Sequence, residues 1–230
     1  MKNIDISPNL SLADSPKFGN YDASVIKDIL CFVDLNMSKA LGLKPFSSKR
    51  CLIDHVEGKN DPETRDSGIC HLILLNTQDD YWCQWLYQFA HEYCHHLING
   101  PMILSFEGQI WFEEMICEAS SLYNLTVLAE KWAKSSCPDI EHNYASHLRT
   151  YVWNEISKSL KTQLNDQHPQ DREQDFYIYD HKKHQLIYNR DLYTYLGASS
   201  FLPQVIQNPQ LWRIILHIGN SREYHSIDEL

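Results

Sequence analysis

The sequence predicts an α+β fold, with a small mixed sheet packed on one long helix and a mostly helical second half. Three observations lead there. Short apolar runs at 51–56 (CLIDHV) and 69–75 (ICHLILL) are bounded by polar stretches and read as strands. Residues 22–42, 81–98 and 109–134 instead carry apolar side chains at helical spacing. From 109 onward, helical spacing dominates and only one short hairpin pattern interrupts it.

Each element follows from its residues. Positions 1–20 (MKNIDISPNLSLADSPKFGN) are rich in Asn, Ser, Pro and Asp. An irregular N-terminal arm is expected there, with a single domain over 21–230. Val25, Ile26, Ile29, Leu30, Val33, Met37 and Leu41 mark a helix that Gly42 stops. The run 51–56 is a short strand, 57–68 (EGKNDPETRDSG) a charged loop, and 69–75 a buried strand. Asp79 and Asp80 are placed to cap a helix from 81 to about 98, which Asn99, Gly100 and Pro101 end. Its apolar face is Trp82, Trp85, Leu86, Phe89, Tyr93 and Leu97. A second long helix at 109–134 buries Trp111, Met115, Ile116, Ala119, Leu122, Tyr123 and Val127, and 140–162 is a third. The polar segment 163–175 is a loop or hinge and a possible sub-boundary. Residues 176–179 and 185–188 can form a hairpin, and helical patterns return at 191–207 and 209–218, broken by Pro203 and Pro209.

Composition limits the class. A chain of 230 residues that is 43% hydrophobic and 22% charged can bury a proper core, so it is globular. A formal charge of −10 argues against a nucleic-acid partner, because neutralising phosphates needs a basic face. No run of 18 apolar residues occurs, so no membrane span is expected. The N-terminus has no apolar segment after its Lys, so no secretory leader is expected either. The seven Cys are odd in number and form no CxxC pair, which predicts reduced thiols in a cytoplasmic protein. The final IDEL is only faintly like a retrieval signal and is read as coincidence. Nothing in the sequence sets the oligomeric state.

The chemistry lies in His91-Glu92-Tyr93-Cys94-His95. Residues i and i+4 of a helix differ by about 40° in azimuth, so both imidazoles project side by side and can reach one ion. Glu92, about 100° round the helix, cannot complete that ligand set but can reach a water on the metal as general base. An accidental HExxH is expected in roughly one such chain in thirty, so context decides its weight. Two His and a Glu in the middle of an apolar helix are costly without a task. The bland alternative is a pair of satisfied core histidines. His96 reads as an exposed neighbour off the ligand face.

A catalytic zinc takes three protein ligands and keeps a fourth position open. The second long helix offers Trp111-Phe112-Glu113-Glu114-Met115, followed by Glu118. HExxH, eighteen intervening residues and then Glu resembles the gluzincin metallopeptidases, the aminopeptidase-like and thermolysin-like families. That resemblance spans about residues 69–130. It implies a zincin-like catalytic domain with one Zn²⁺ on His91, His95 and Glu114, and Glu118 orienting His91. Glu113 stands where the families carry Asn and Met115 where they carry Gly. Glu113 is the rival third ligand. The strand before the metal helix is, in such folds, a sheet edge that takes an extended substrate, though 70–75 reads equally well as a core strand. An aminopeptidase-type site would draw its oxyanion donor from a Tyr on a later helix. Tyr195, ahead of Gly197 and Ala198, is the candidate, with Tyr193 close by and Tyr144, His147 and Tyr151 as a second pool.

The expected function is therefore a zinc-dependent metallopeptidase acting on a peptide or protein substrate. The alternative is a catalytically silent metal-binding or interaction module, with Cys117 or a downstream His closing the site. A deformylase-like hydrolase, drawing a ligand from Cys70 or Cys83, lacks its flanking motif. Repressor- and stress-regulating HExxH peptidases carry a later phrase that is missing here. The substrate and the choice between endo- and exopeptidase are not legible, and no exopeptidase signature precedes the helix.

Overall fold

The computed structural model describes residues 3–43, 49–56, 61–98, 110–134, 144–165, 177–180 and 185–218. Over these the protein is α+β, with a five-stranded mixed sheet and a second half that is mostly helical. Cys137, most of the 163–175 hinge and the C-terminal IDEL lie outside the described residues.

The N-terminal segment corrects the expectation of an irregular arm. β1 (Asn3–Ser7) and β2 (Leu10–Ala13) form an antiparallel pair at one side of the sheet. The turn-forming residues are concentrated at Pro8 and Asn9, while Leu10 and Leu12 are buried in the core. Average composition concealed two short strands. α1 (Ala23–Leu41) follows, capped by Asp22, whose side chain accepts from the Ser24 and Val25 amides. It ends at Gly42, which takes a left-handed conformation (φ 68°) that a Cβ would strain.

β3 (Cys51–His55) runs parallel to β2, and β5 (His71–Leu75) runs parallel to β3. In β3 every second side chain, Cys51, Ile53 and His55, is buried. The stretch read as a charged loop contains β4 (Glu63–Asp66), which pairs antiparallel with β5. The sheet order is β1-β2-β3-β5-β4, so β1 and β4 are the edges and β5 lies inside. The strand that precedes α2, expected as a possible sheet edge, is thus an interior strand. β4 has no apolar residue to betray it, and charged side chains are what protect an edge from unwanted pairing.

α2 (Trp82–Ile98) packs against β5, β4, α1 and α3 (Ile110–Lys134). Asp79 and Asp80 act at its start in a way the capping expectation missed. Their side chains accept the Asn20 and Asp22 amides and so fasten the start of α1 to the start of α2. α4 (Tyr144–Asn165) lies along α3, and β6 (Tyr177–Asp180) pairs with β7 (Gln185–Tyr188) as a hairpin.

Residues 190–207 form one continuous helical run rather than a broken one. α5 (Arg190–Leu196) widens into a π-type turn at Gly197–Phe201 and continues as α6 (Leu202–Gln207). The widened turn directly precedes Pro203, whose ring nitrogen donates no hydrogen bond. A 3₁₀ turn at Pro209–Arg213 leads into α7 (Ile214–Ile218). Among the described residues, no helix is long and apolar enough to cross a membrane.

Candidate metal centre

α2 and α3 supply the site between them. Ser120 Oγ donates to the Ala90 carbonyl at 3.0 Å and Ser121 Oγ to the Tyr87 carbonyl at 2.8 Å, both fully buried. Small hydroxyl side chains here let the two helices approach and fix their register. That register sets Glu114 opposite the pair His91 and His95.

The three side chains form a single group of candidate metal ligands, each partly accessible, and among the described residues it has no fourth member. Nε2 of His91 and Nε2 of His95 are 3.2 Å apart. Glu114 places Oε2 at 3.2 Å from the first and Oε1 at 3.4 Å from the second. A tetrahedral ion with ligand bonds of about 2.05 Å has ligand–ligand edges of about 3.4 Å. The donor types and their spacing therefore fit one zinc ion. Cys117 does not join the group; it is buried next to the Cys94 thiol. Cys83 contacts the Tyr144 hydroxyl at 3.2 Å, and Cys70 contacts Ser67.

The two acidic neighbours of Glu114 serve different edges of the imidazoles. Oε1 of Glu113 lies 2.7 Å from Nδ1 of His95, on the side of the ring away from Glu114. Glu118 Oε1 lies 3.5 Å from Nδ1 of His91, beyond a well-formed hydrogen bond, and that Nδ1 has no hydrogen-bond partner. Glu118 is held by three donors instead. The Tyr87 hydroxyl donates to Oε2, Thr194 Oγ1 donates to Oε2 at 3.1 Å, and Arg190 Nε donates to Oε1 at 3.0 Å.

The charges explain the protonation behaviour. Burial disfavours charge on His91 and His95, yet nearby carboxylates outweigh it and raise both pKa values. For His91 the leading partner is the Glu114 hydrogen bond, and for His95 it is the Glu114 charge. The same pair holds the Glu114 carboxyl well below the usual carboxylate range, although burial opposes it. Glu92 is 4% exposed, and burial raises its pKa against the pull of His91 and His95.

His96 is buried rather than exposed. Its Nδ1 meets Nδ1 of His71 at 2.7 Å, and its ring stacks on Tyr93. Tyr195 is half-buried on α5, and among the described residues neither a hydrogen bond nor an ion pair links it to the three candidate ligands. Tyr193 is buried, Tyr144 bonds Cys83, Tyr151 packs on the Tyr87 ring, and His147 is exposed. The side chain of Trp111 lies outside the described residues.

Four contributors were not foreseen: Thr64, Tyr87, Thr194 and Arg190. Tyr87 continues the i, i+4 ladder of 91 and 95 and was detectable on that ground. Thr64 and Arg190 reach the site through tertiary contacts that leave no local signal. Compared with known proteins, no family model, no curated protein and no solved structure matches this chain.

Proposed function

We propose that this chain is a zinc-dependent metallopeptidase with a zincin-like catalytic domain. One observation carries the reading: the HExxH histidines and Glu114 converge as a three-member donor set, with Glu92 buried beside them. Three protein ligands are the number a catalytic zinc uses, whereas a structural zinc takes four. A bound zinc ion would supply Lewis acidity, polarising a carbonyl and lowering the pKa of a coordinated water to near neutrality.

The protein's own groups do the rest. His91, His95 and Glu114 would hold the ion; Glu113 fixes the His95 imidazole from behind, and Glu118 sets a buried negative charge 3.5 Å behind that of His91. Glu92 accepts the proton of the attacking water on its carboxylate and returns it to the leaving amine. Burial has already raised its affinity for that proton. Tyr195 remains the proposed oxyanion donor, which requires its half-buried ring to swing toward the substrate from α5. The substrate is a peptide or protein.

Metal analysis tests this reading. Purified protein should hold one zinc per chain, lose it to a chelator, and regain hydrolysis of a peptide library on zinc addition. A chain that takes up no zinc, or takes it up and cleaves nothing in the library, contradicts it.

A further inference from the structure

The edge strand reaches the proposed base. Thr64, half-buried in β4, places Oγ1 at 2.9 Å from Glu92 Oε2 and also at 2.9 Å from the Glu92 backbone carbonyl. A threonine hydroxyl has one proton to give. The carbonyl lies mid-helix in α2 and already has its helical donor four residues on. The carboxylate has none among the described residues apart from Thr64, and a hydrogen bond to an ionised acceptor is roughly twice as strong as a neutral one. The proton therefore belongs to Oε2.

This contact is fixed from both ends. Thr64 pairs with Ile73 of the interior strand β5, and Ile73 is fully buried. A β-branched side chain has few rotamers, so the sheet sets where the hydroxyl points. The consequence is asymmetric: Oε2 is engaged and Oε1 is left to receive a proton. A buried carboxylate with one anchored oxygen cannot rotate freely and presents the other in a single orientation.

On the metallopeptidase reading, we propose that Thr64 is a positioning residue that orients Glu92, anchoring Oε2 so that Oε1 serves as the base. β4 then does more than close the sheet, because it carries the side chain that prepares the carboxylate on α2. Oriented groups that act through another residue typically change activity by roughly 10–100-fold when removed.

The test compares Thr64→Val, which keeps the shape and loses the donor, with Thr64→Ser, which keeps the donor. The first readout is infrared difference spectroscopy of full-length protein against Glu92→Gln, recorded as purified and after zinc loading. Thr64→Val should shift the Glu92 carboxylate bands, and Thr64→Ser should retain the wild-type positions. The second readout is kinetics on a library peptide the wild type cleaves. Thr64→Val should lower kcat by roughly 10–100-fold with KM and zinc content unchanged, and Thr64→Ser should restore it. Unshifted bands in Thr64→Val overturn the proposal whether or not any peptide is cleaved. A shifted band with unchanged kcat also overturns it. A wild type that binds zinc and cleaves nothing defeats the peptidase reading instead, and the infrared result then decides the contact alone. Should Thr64→Val fail to fold, Thr64→Ala carries the same comparison.

Discussion

Glu113 and Glu114 are adjacent in sequence, yet they grip His95 from opposite edges of its ring: Glu113 at Nδ1, 2.7 Å away, and Glu114 at Nε2, 3.4 Å away. On the metal-centre reading one carboxylate would be a ligand and the other an orienting group, so their removal should have unequal effects. His91→Ala, His95→Ala or Glu114→Ala should each cost most of the bound zinc. Glu113→Gln should keep one zinc per chain and weaken its affinity by roughly 10–100-fold. Competition with a chromophoric chelator measures both. Full stoichiometry in Glu114→Ala together with loss in Glu113→Gln would reverse the assignment.

Glu118 is 1% exposed and accepts from Tyr87, Thr194 and Arg190. Glu118→Ala strands three donors, two of them buried, so about 2–4 kcal/mol of stability should be lost. Zinc affinity should also fall by roughly 10–100-fold. Thr194→Val removes one donor and should cost about 1 kcal/mol. Urea unfolding of the two variants separates these values, and equal losses would mean that Glu118 is not the hub of this network.

Gly197 lies at the close contact between the α5–α6 helical run and α3. A Cβ there would lie 2.7 Å from the Met115 carbonyl oxygen and 3.2 Å from the Ala119 amide nitrogen, both backbone atoms that cannot rotate aside. Gly197→Ala should destabilise the fold by about 1–3 kcal/mol through overpacking against α3. Thermal melting measures it. An unchanged or raised Tm would show that α5 has room to move off α3.

The His71–His96 pair makes stability depend on acidity. Burial, then the charges of His71 and Lys49, push His96 down to about 3 from an ordinary 6.5. The folded protein therefore refuses a proton that the unfolded chain accepts. Its contribution is fully present above about pH 6.5 and is lost as pH falls from there toward 3. Urea midpoints of wild type should fall over this window more steeply than those of His96→Gln. Taking that difference removes the opposite contributions of His91 and His95, whose pKa values are raised. Parallel curves would show that His96 is not the group responsible.

Much of this architecture was legible in local patterns. α1, α2 and α3 were read from the spacing of residues such as Ile26, Phe89 and Ile116, because one buried face imposes a 3.6-residue period. The two histidines of the donor group were legible because i, i+4 spacing brings His91 and His95 together whatever surrounds them, whereas Glu114 was reached through the family resemblance. β1, β2 and β4 were not: strands of four or five residues are fixed by their neighbours in the sheet and not by their own residues. His96 was misplaced on azimuth alone, since the strand β5 that covers it comes from a tertiary contact. Thr64 and Arg190 were invisible for the same reason. Their partners, Glu92 and Glu118, are 28 and 72 residues away in sequence.

The most direct measurement of the central claim is Glu92→Gln. Glu92 is not among the three donors, so the variant should keep one zinc per chain. Gln preserves the shape and a bond to Thr64 but cannot take a proton from water, and general acid–base catalysis is worth about 10²–10⁴-fold. Removing a buried carboxylate whose pKa burial raises should leave Tm equal or slightly higher. Peptide hydrolysis should therefore collapse at unchanged zinc content and undiminished Tm. Equal hydrolysis by wild type and variant, with contaminating protease excluded, contradicts the account and leaves a metal-binding module in its place.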